Sequence, residues 1–289
     1  MFHARSIAEK SISEGTGNDS VKVGFSISTL NNPFFVTLKD GAEKKAEDLS
    51  MEVVTVDAQN DAAKQTSDVE DLIQQNVDVI LINPTDSAAV GPAVKAANAA
   101  NIPVITVDRS AESGGVVSHI ASNNVEGGKM AGEYLLELVG EDANVVELEG
   151  IPGSSAARER GEGFHQAVDN KVNVVAKQAA NFDRAQGLSV MENILQSNGD
   201  VKAVFAHNDE MALGALEALK AAGKNDVVVV GFDATKDAVN AVKSGDMAGT
   251  IAQQPELIGE MALETAEKVA DGETPEKLVP VDLNLVKKQ

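Results

Sequence analysis

Seven short apolar runs of this chain end on a small or medium hydrogen-bonding side chain: Ser28, Asp57, Asn83, Asp108, Asn208, Asp233 and Gln253. Hydroxyl, amide and carboxylate groups of this kind can donate to or accept from the hydroxyls of a polyol. The same residue types also open turns and cap helices, so each position alone stays open to that reading. Taken together they point to a crevice, because ligands of open α/β sheets bind outside the carboxyl ends of the strands.

Aromatic residues are few, at 3% of the chain with one Tyr and no Trp, so their positions carry information. Phe25 and Phe205 fall inside runs and read as core, Phe164 falls on an amphipathic helix, and Phe2 lies near the N-terminus. Phe34, Phe35, Phe182 and Phe232 instead stand at strand ends or in loops beside polar residues. An aromatic face covering the C–H groups of a ring, with amide, carboxylate and guanidinium groups around its edge, is the chemistry of sugar recognition. Asp108-Arg109 closes a strand and Arg160 lies near a helix start, each able to make charge-assisted hydrogen bonds to hydroxyls.

Signals for reaction chemistry are thin. The histidines His3, His119, His165 and His207 are scattered without metal-ligand spacing, so no metal is expected. Ser154-Ser155 has no evident base. Neither a G-x-G-x-x-G nor a P-loop occurs, and Gly161-Glu162-Gly163 falls inside a helix and reads as packing, so no nucleotide cofactor is expected. The chain reads as a binding protein and not an enzyme.

The elements that must position these residues alternate. Strands are expected over 21–28, 52–57, 79–83, 104–108 and 118–121, with helices over 33–49, 62–75 and 88–100 between them. The rhythm restarts with a helix over 125–139, strands over 145–149, 174–179, 203–208 and 227–233, and helices over 156–168, 184–196 and 210–222. Runs such as 77–82 and 104–107 are apolar on both faces, as in parallel strands covered on each side. The expected fold is α/β, with two doubly wound, Rossmann-like parallel-sheet lobes. Breaks near 122–124 and 253–255, followed by a helix over 256–270 and a run over 279–286, give a chain that crosses between lobes more than once and therefore hinges. The lobes are expected over 21–122 with 254–282, and over 123–253 with 283–289, after an extension over 1–20.

At 289 residues the chain has room for about two domains. Hydrophobic residues at 43% and charged residues at 24% are ordinary globular values. With 24 Lys+Arg against 45 Asp+Glu the formal charge is −21, which repels nucleic acid and anionic membrane surfaces. The absence of Cys removes disulfides and thiol chemistry. Residues 1–20 hold no apolar run of the kind an export signal needs.

Several segments together resemble one family: Ser28-Thr29-Leu30-Asn31-Asn32-Pro33-Phe34-Phe35, Ile82-Asn83-Pro84-Thr85-Asp86, Pro103-Val104-Ile105-Thr106-Val107-Asp108-Arg109 and Ala206-His207-Asn208-Asp209-Glu210-Met211-Ala212. Glu159-Arg160-Gly161-Glu162-Gly163-Phe164, Val230-Gly231-Phe232-Asp233 and Thr250-Ile251-Ala252-Gln253-Gln254 extend the likeness from about residue 21 to the end of the chain. It is to the periplasmic ribose-binding proteins, within the type I sugar-binding receptors of ABC transporters. The resemblance implies a monomeric, periplasmic two-lobe receptor that closes on D-ribose or a related monosaccharide, delivers it to a membrane permease and, in some bacteria, docks on a chemoreceptor. It carries the family's sugar contacts onto Ser28, Asn32, Phe34, Phe35, Asn83, Asp108, Arg109, Arg160, Phe182, Asn208, Phe232, Asp233 and Gln253. Phe34 and Phe182 are implied to cover opposite faces of the sugar.

Two other readings share the fold. The effector core of a LacI-type repressor would need a DNA-binding head, for which residues 1–20, with Arg5 and Lys10 as their basic residues, do not suffice. A receptor for allose or galactose would keep the architecture and change the ligand.

Overall fold

The computed structural model describes residues 20–288, so the extension expected over 1–20 lies outside the described residues except for Ser20. Two six-stranded sheets organise the chain. In the first, β1 (Lys22–Ile27), β2 (Glu52–Asp57), β3 (Val79–Ile82), β4 (Val104–Val107), β5 (Val116–Ser122) and β11 (Leu278–Val281) pair in the order β11-β5-β4-β3-β1-β2, all parallel. In the second, β6 (Asn144–Glu149), β7 (Asn173–Ala179), β8 (Ala203–Ala206), β9 (Val228–Asp233), β10 (Gly249–Ala252) and β12 (Asn284–Lys287) pair in the order β12-β10-β9-β8-β6-β7. Only β12 runs antiparallel, against β10. β3, β4 and β8 are buried at every residue, which explains their unbroken apolar sequences.

The chain passes between the two sheets three times. It leaves β5 for α4 (Asn124–Val139), leaves β10 for α9 (Pro255–Ala270), and passes from β11 to β12. α9 returns to the first lobe, where Lys45 of α1 (Pro33–Asp48) donates to its Glu264 at 2.8 Å. The single run expected over 279–286 is therefore two short strands, one in each sheet.

Two further elements depart from the sequence expectation. The helix expected over 88–100 is α3 (Gly91–Ala99), because the Asp86 carboxylate accepts the N–H groups of Ala88 and Ala89 at 2.9 and 2.7 Å and closes a separate turn ahead of Gly91-Pro92. Between β9 and β10 stands α8 (Lys236–Ser244), an amphipathic helix that the alternation did not reveal; it stops at Gly245, whose φ of 87° is left-handed.

Close helix contact fixes the second lobe. α4 packs against α5 (Ser155–Val168) through Gly128 and Gly163: a Cβ on Gly163 would overlap the carbonyl oxygen of Val125, and one on Gly128 would overlap that of Arg160. The Gly161-x-Gly163 pair is thus a packing device. Gly163→Ala is expected to push α5 from α4 and destabilise the protein by about 1–3 kcal/mol, read as a lowered urea midpoint; an unchanged midpoint would show that the helices have slack.

Candidate functional site

The carboxyl ends of both sheets face each other across a narrow, closely lined cavity. Its walls are Asn32, Phe34, Phe35, Asp108 and Arg109 from the first lobe, Ala156, Arg160, Phe182, Asn208 and Asp233 from the second, and Gln253 at a crossing. Ten of the thirteen residues expected from sequence therefore line one space.

Local folding aims these side chains. Asn32 caps α1 by accepting the Phe34 N–H at 3.0 Å, and Asn208 caps α7 (Asp209–Ala221) by accepting the Met211 N–H at 3.0 Å. The capping reading and the cavity reading hold together, since one end of each amide caps and the residue still borders the cavity. Asp57, by contrast, only closes a turn, accepting the Gln59 N–H at 2.8 Å. Asp108, Phe182 and Asp233 take left-handed φ values of 63°, 60° and 117°, a conformation costly for residues with a Cβ and one that turns strand-end side chains sharply inward.

Four charges are buried here. Asp108 and Arg109 are 2% and 3% exposed, and Arg160 and Asp233 are 3% and 6% exposed. Arg109 Nε lies 3.7 Å from Asp108 Oδ2, and one Arg160 amino nitrogen lies 3.8 Å from Asp233 Oδ1, so each lobe brings one carboxylate and one guanidinium. Rings cover the cations: Arg109 lies 4.9 and 5.1 Å from the centroids of Phe35 and Phe182, and Arg160 lies 3.9 Å from that of Phe232. Burial pulls the Arg109 guanidinium down to about 10, still charged at neutral pH, with Asp108 opposing that shift. Burial also raises the Asp233 carboxyl, while the Arg160 guanidinium 3.8 Å away works against that rise and favours the carboxylate.

Asp108 Oδ1, Arg109 Nε, Gln253 Oε1 and Ser28 Oγ have no hydrogen-bond partner among the described residues. Buried polar atoms are normally satisfied. Of these, Asp108 Oδ1, Gln253 Oε1 and Arg109 Nε belong to the cavity wall, and two acceptors with a cationic donor in one charge-balanced space suit a ligand that is neutral and rich in hydroxyls.

Three expected residues act from behind the wall. Ser28 donates its N–H to Asn83 Oδ1 at 3.1 Å, and Asn83 Nδ2 bonds the Val107 carbonyl at 3.0 Å and reaches Asp108 Oδ2 at 3.4 Å, so this pair orients Asp108. Phe232 floors Arg160. Two residues were not anticipated. Ala156 leaves room for the cavity, and nothing in its residue type signals this. Asp209 follows Asn208 and accepts Thr235 N–H at 2.7 Å, Thr235 Oγ at 3.1 Å and Thr250 Oγ at 2.7 Å, tying down the turn that carries Asp233.

Direct contacts clasp the lobes beside the cavity. The Ser87 N–H bonds the Gly153 carbonyl at 2.9 Å, the Ser110 N–H bonds Ser155 Oγ at 2.9 Å, and Arg158 meets Glu112 at 3.0 Å.

The sequence matches the model of the periplasmic binding protein domain over residues 23–274. The chain belongs to the periplasmic binding protein family. Among relatives of this periplasmic binding protein, the ribose import binding protein RbsB of Escherichia coli is 60% identical over 264 residues, covering 91% of this chain and 89% of that one. That of Bacillus subtilis is 57% identical over 263 residues, covering 91% and 86%. Among solved structures, a solute-binding protein from Actinobacillus succinogenes with bound D-allose superposes with a TM-score of 0.87 at 32% identity, covering 92% of this chain and 97% of that one. One from Mycobacterium smegmatis with bound glycerol gives 0.90 at 37% identity, covering 93% and 94%.

Burial raises the Asp209 carboxyl to about 7 from an ordinary 3.8, outweighing its hydroxyl and N–H donors. The folded state therefore holds this proton more tightly than the unfolded chain, and the stability it contributes is full below about pH 4 and lost as pH rises towards about 7. Asp209→Asn, which keeps the shape without the charge, is expected to flatten the fall of urea-unfolding stability across that window; an unaltered slope would assign the titration elsewhere.

Proposed function

We propose that this protein is a receptor that closes on D-ribose and passes it to an ABC-type importer. The observation that carries the reading is the buried cavity between the lobes, where two carboxylates and two guanidiniums balance and polar atoms are left without protein partners. A phosphorylated sugar or other anion would upset that balance, whereas a monosaccharide offers several hydroxyls and no charge. Phe34 and Phe182 both line the cavity, and in this reading they cover opposite faces of one small sugar ring. Identity of 57–60% to ribose import binding proteins favours ribose among such ligands.

In this reading the lobes comprise 21–122 with 254–282 and 123–253 with 283–289, and the thirteen named residues hold the sugar or orient those that do. Asp108 and Asp233 accept hydroxyls as carboxylates beside guanidiniums, so the sugar leaves chemically unchanged. The protein works as a monomer in the periplasm. Allose is the second reading, favoured by the allose-bound neighbour at 32% identity.

Isothermal titration calorimetry with ribose, allose, galactose and glucose tests this. Ribose is expected to bind one-to-one, and Asp108→Ala to weaken it at least about tenfold by removing charge-assisted bonds and leaving Arg109 uncompensated. Tight binding of allose without ribose would replace the ligand. No binding of any sugar, or undiminished ribose binding by Asp108→Ala, would overturn the assignment.

A further inference from the structure

Beneath the cavity, on its second-lobe side, a polar cluster occupies the core. Glu147, in the middle of β6, is fully buried, and so is His207, just past the end of β8. His207 Nε2 lies 2.9 Å from Glu147 Oε1, and His207 Nδ1 receives the Gly150 N–H at 3.4 Å. With Nδ1 accepting, the ring proton sits on Nε2 and is donated to the carboxylate. Glu147 Oε2 faces outward to His165 Nε2 at 2.9 Å and Lys177 Nζ at 3.7 Å. Behind these stand Asp169, 2.8 Å from His165 Nδ1, and Glu149, 3.2 Å from Lys177. His165, Lys177 and His207 thus meet around the one carboxylate of Glu147.

An imidazole locked on a buried carboxylate is not needed for packing, since apolar side chains of the same volume are commonly as stable or more so. Its other consequence is geometric. The His207 carbonyl accepts from an Arg160 amino nitrogen at 2.6 Å, while Arg160 Nε bonds Asn124 Oδ1 at 2.9 Å. Gly161, next after Arg160, packs against the same pair: a Cβ there would stand 3.2 Å from Glu147 Oε1 and 3.3 Å from His207 Cε1. Asn208, next after His207, borders the cavity. The ring of His207 therefore fixes the backbone from which one cavity residue projects and against which another is clamped.

We propose that Glu147 and His207 are positioning residues for the sugar site, their carboxylate–imidazole lock holding the His207 carbonyl against Arg160 so that the guanidinium and Asn208 meet the ligand in register. This role rests on the ribose reading above. Neither residue lines the cavity; both act through Arg160 and Asn208, which do.

A double-mutant cycle read by ribose calorimetry tests the role. His207→Leu, with no donor for Glu147, is expected to weaken ribose binding about tenfold, and His207→Gln, whose amide can donate to Glu147, to stay within about threefold of the unsubstituted protein. In an Arg160→Lys background, His207→Leu is expected to cost less than about threefold more, because the clamp is already gone. Undiminished binding by His207→Leu would overturn the proposal, as would a loss equally large in the Arg160→Lys background, which a merely structural role would give. Should His207→Leu fail to fold, ¹⁵N-histidine NMR of the unsubstituted protein decides: ribose is expected to shift the His207 ring resonances more than those of His119 in the first lobe, and equal or absent shifts would overturn the lock. An unsubstituted protein that binds no ribose refutes the reading beneath and this role with it; one that binds ribose while His207→Leu binds equally refutes the positioning role alone.

Discussion

Bringing two carboxylates and two guanidiniums out of water into one cavity is the constraint on which the rest of this structure depends. Isolated buried charges cost several kcal/mol each, and a pair offsets that cost only when its geometry is good and its remaining hydrogen-bond sites are filled. Here the paired atoms stand 3.7 and 3.8 Å apart, longer than good charge-assisted hydrogen bonds. Aromatic faces shield the cations, and Asn83, Asn124, Gln253 and the His207 carbonyl supply fixed dipoles. Asp108 Oδ1, Arg109 Nε and Gln253 Oε1 are still without protein partners. In the proposed reading a ligand rich in hydroxyls satisfies them from between the lobes, which ties its binding energy to the closed arrangement.

The architecture meets this constraint by aiming strand ends. Parallel sheets place all their carboxyl ends on one side, and the left-handed residues Asp108, Phe182 and Asp233 turn side chains out of the strand direction into the cavity. Three chain crossings keep the two sheets in fixed relation while leaving a short axis for rotation. The clasp from Ser87 and Ser110 to Gly153 and Ser155 is made of neutral backbone and hydroxyl groups, each of modest net strength. The third contact, the Arg158–Glu112 pair, is solvent-exposed and adds little, so the clasp as a whole is weak.

Much of this was legible in the sequence because strand ends are. Val-Ile-Leu runs locate parallel strands, the polar residues that stop most of those runs line or back the crevice while Asp57 only closes a turn, and a chain with so few aromatics makes Phe34, Phe35 and Phe182 conspicuous. Ser28, Asn83 and Phe232 were found by the same signal, which does not separate a residue on the wall from one supporting it. Other features were hidden for physical reasons. Ala156 contributes by being small. Asp209, in Asn208-Asp209-Glu210, looks like any acidic first turn, and its burial depends on Thr235 and Thr250, which only the fold brings near. His165 and His207 look scattered because Glu147, which joins them, lies on another strand. α8 is short, and Gly245 was the one local mark of its end.

The most direct test of the claim that ligand binding and lobe closure are one event is small-angle X-ray scattering of the protein with and without saturating ribose. A smaller radius of gyration with ribose is expected, with the ribose-bound curve matching the clasped arrangement of the two sheets. Superimposable curves, from a sample in which calorimetry shows ribose bound, would contradict the account.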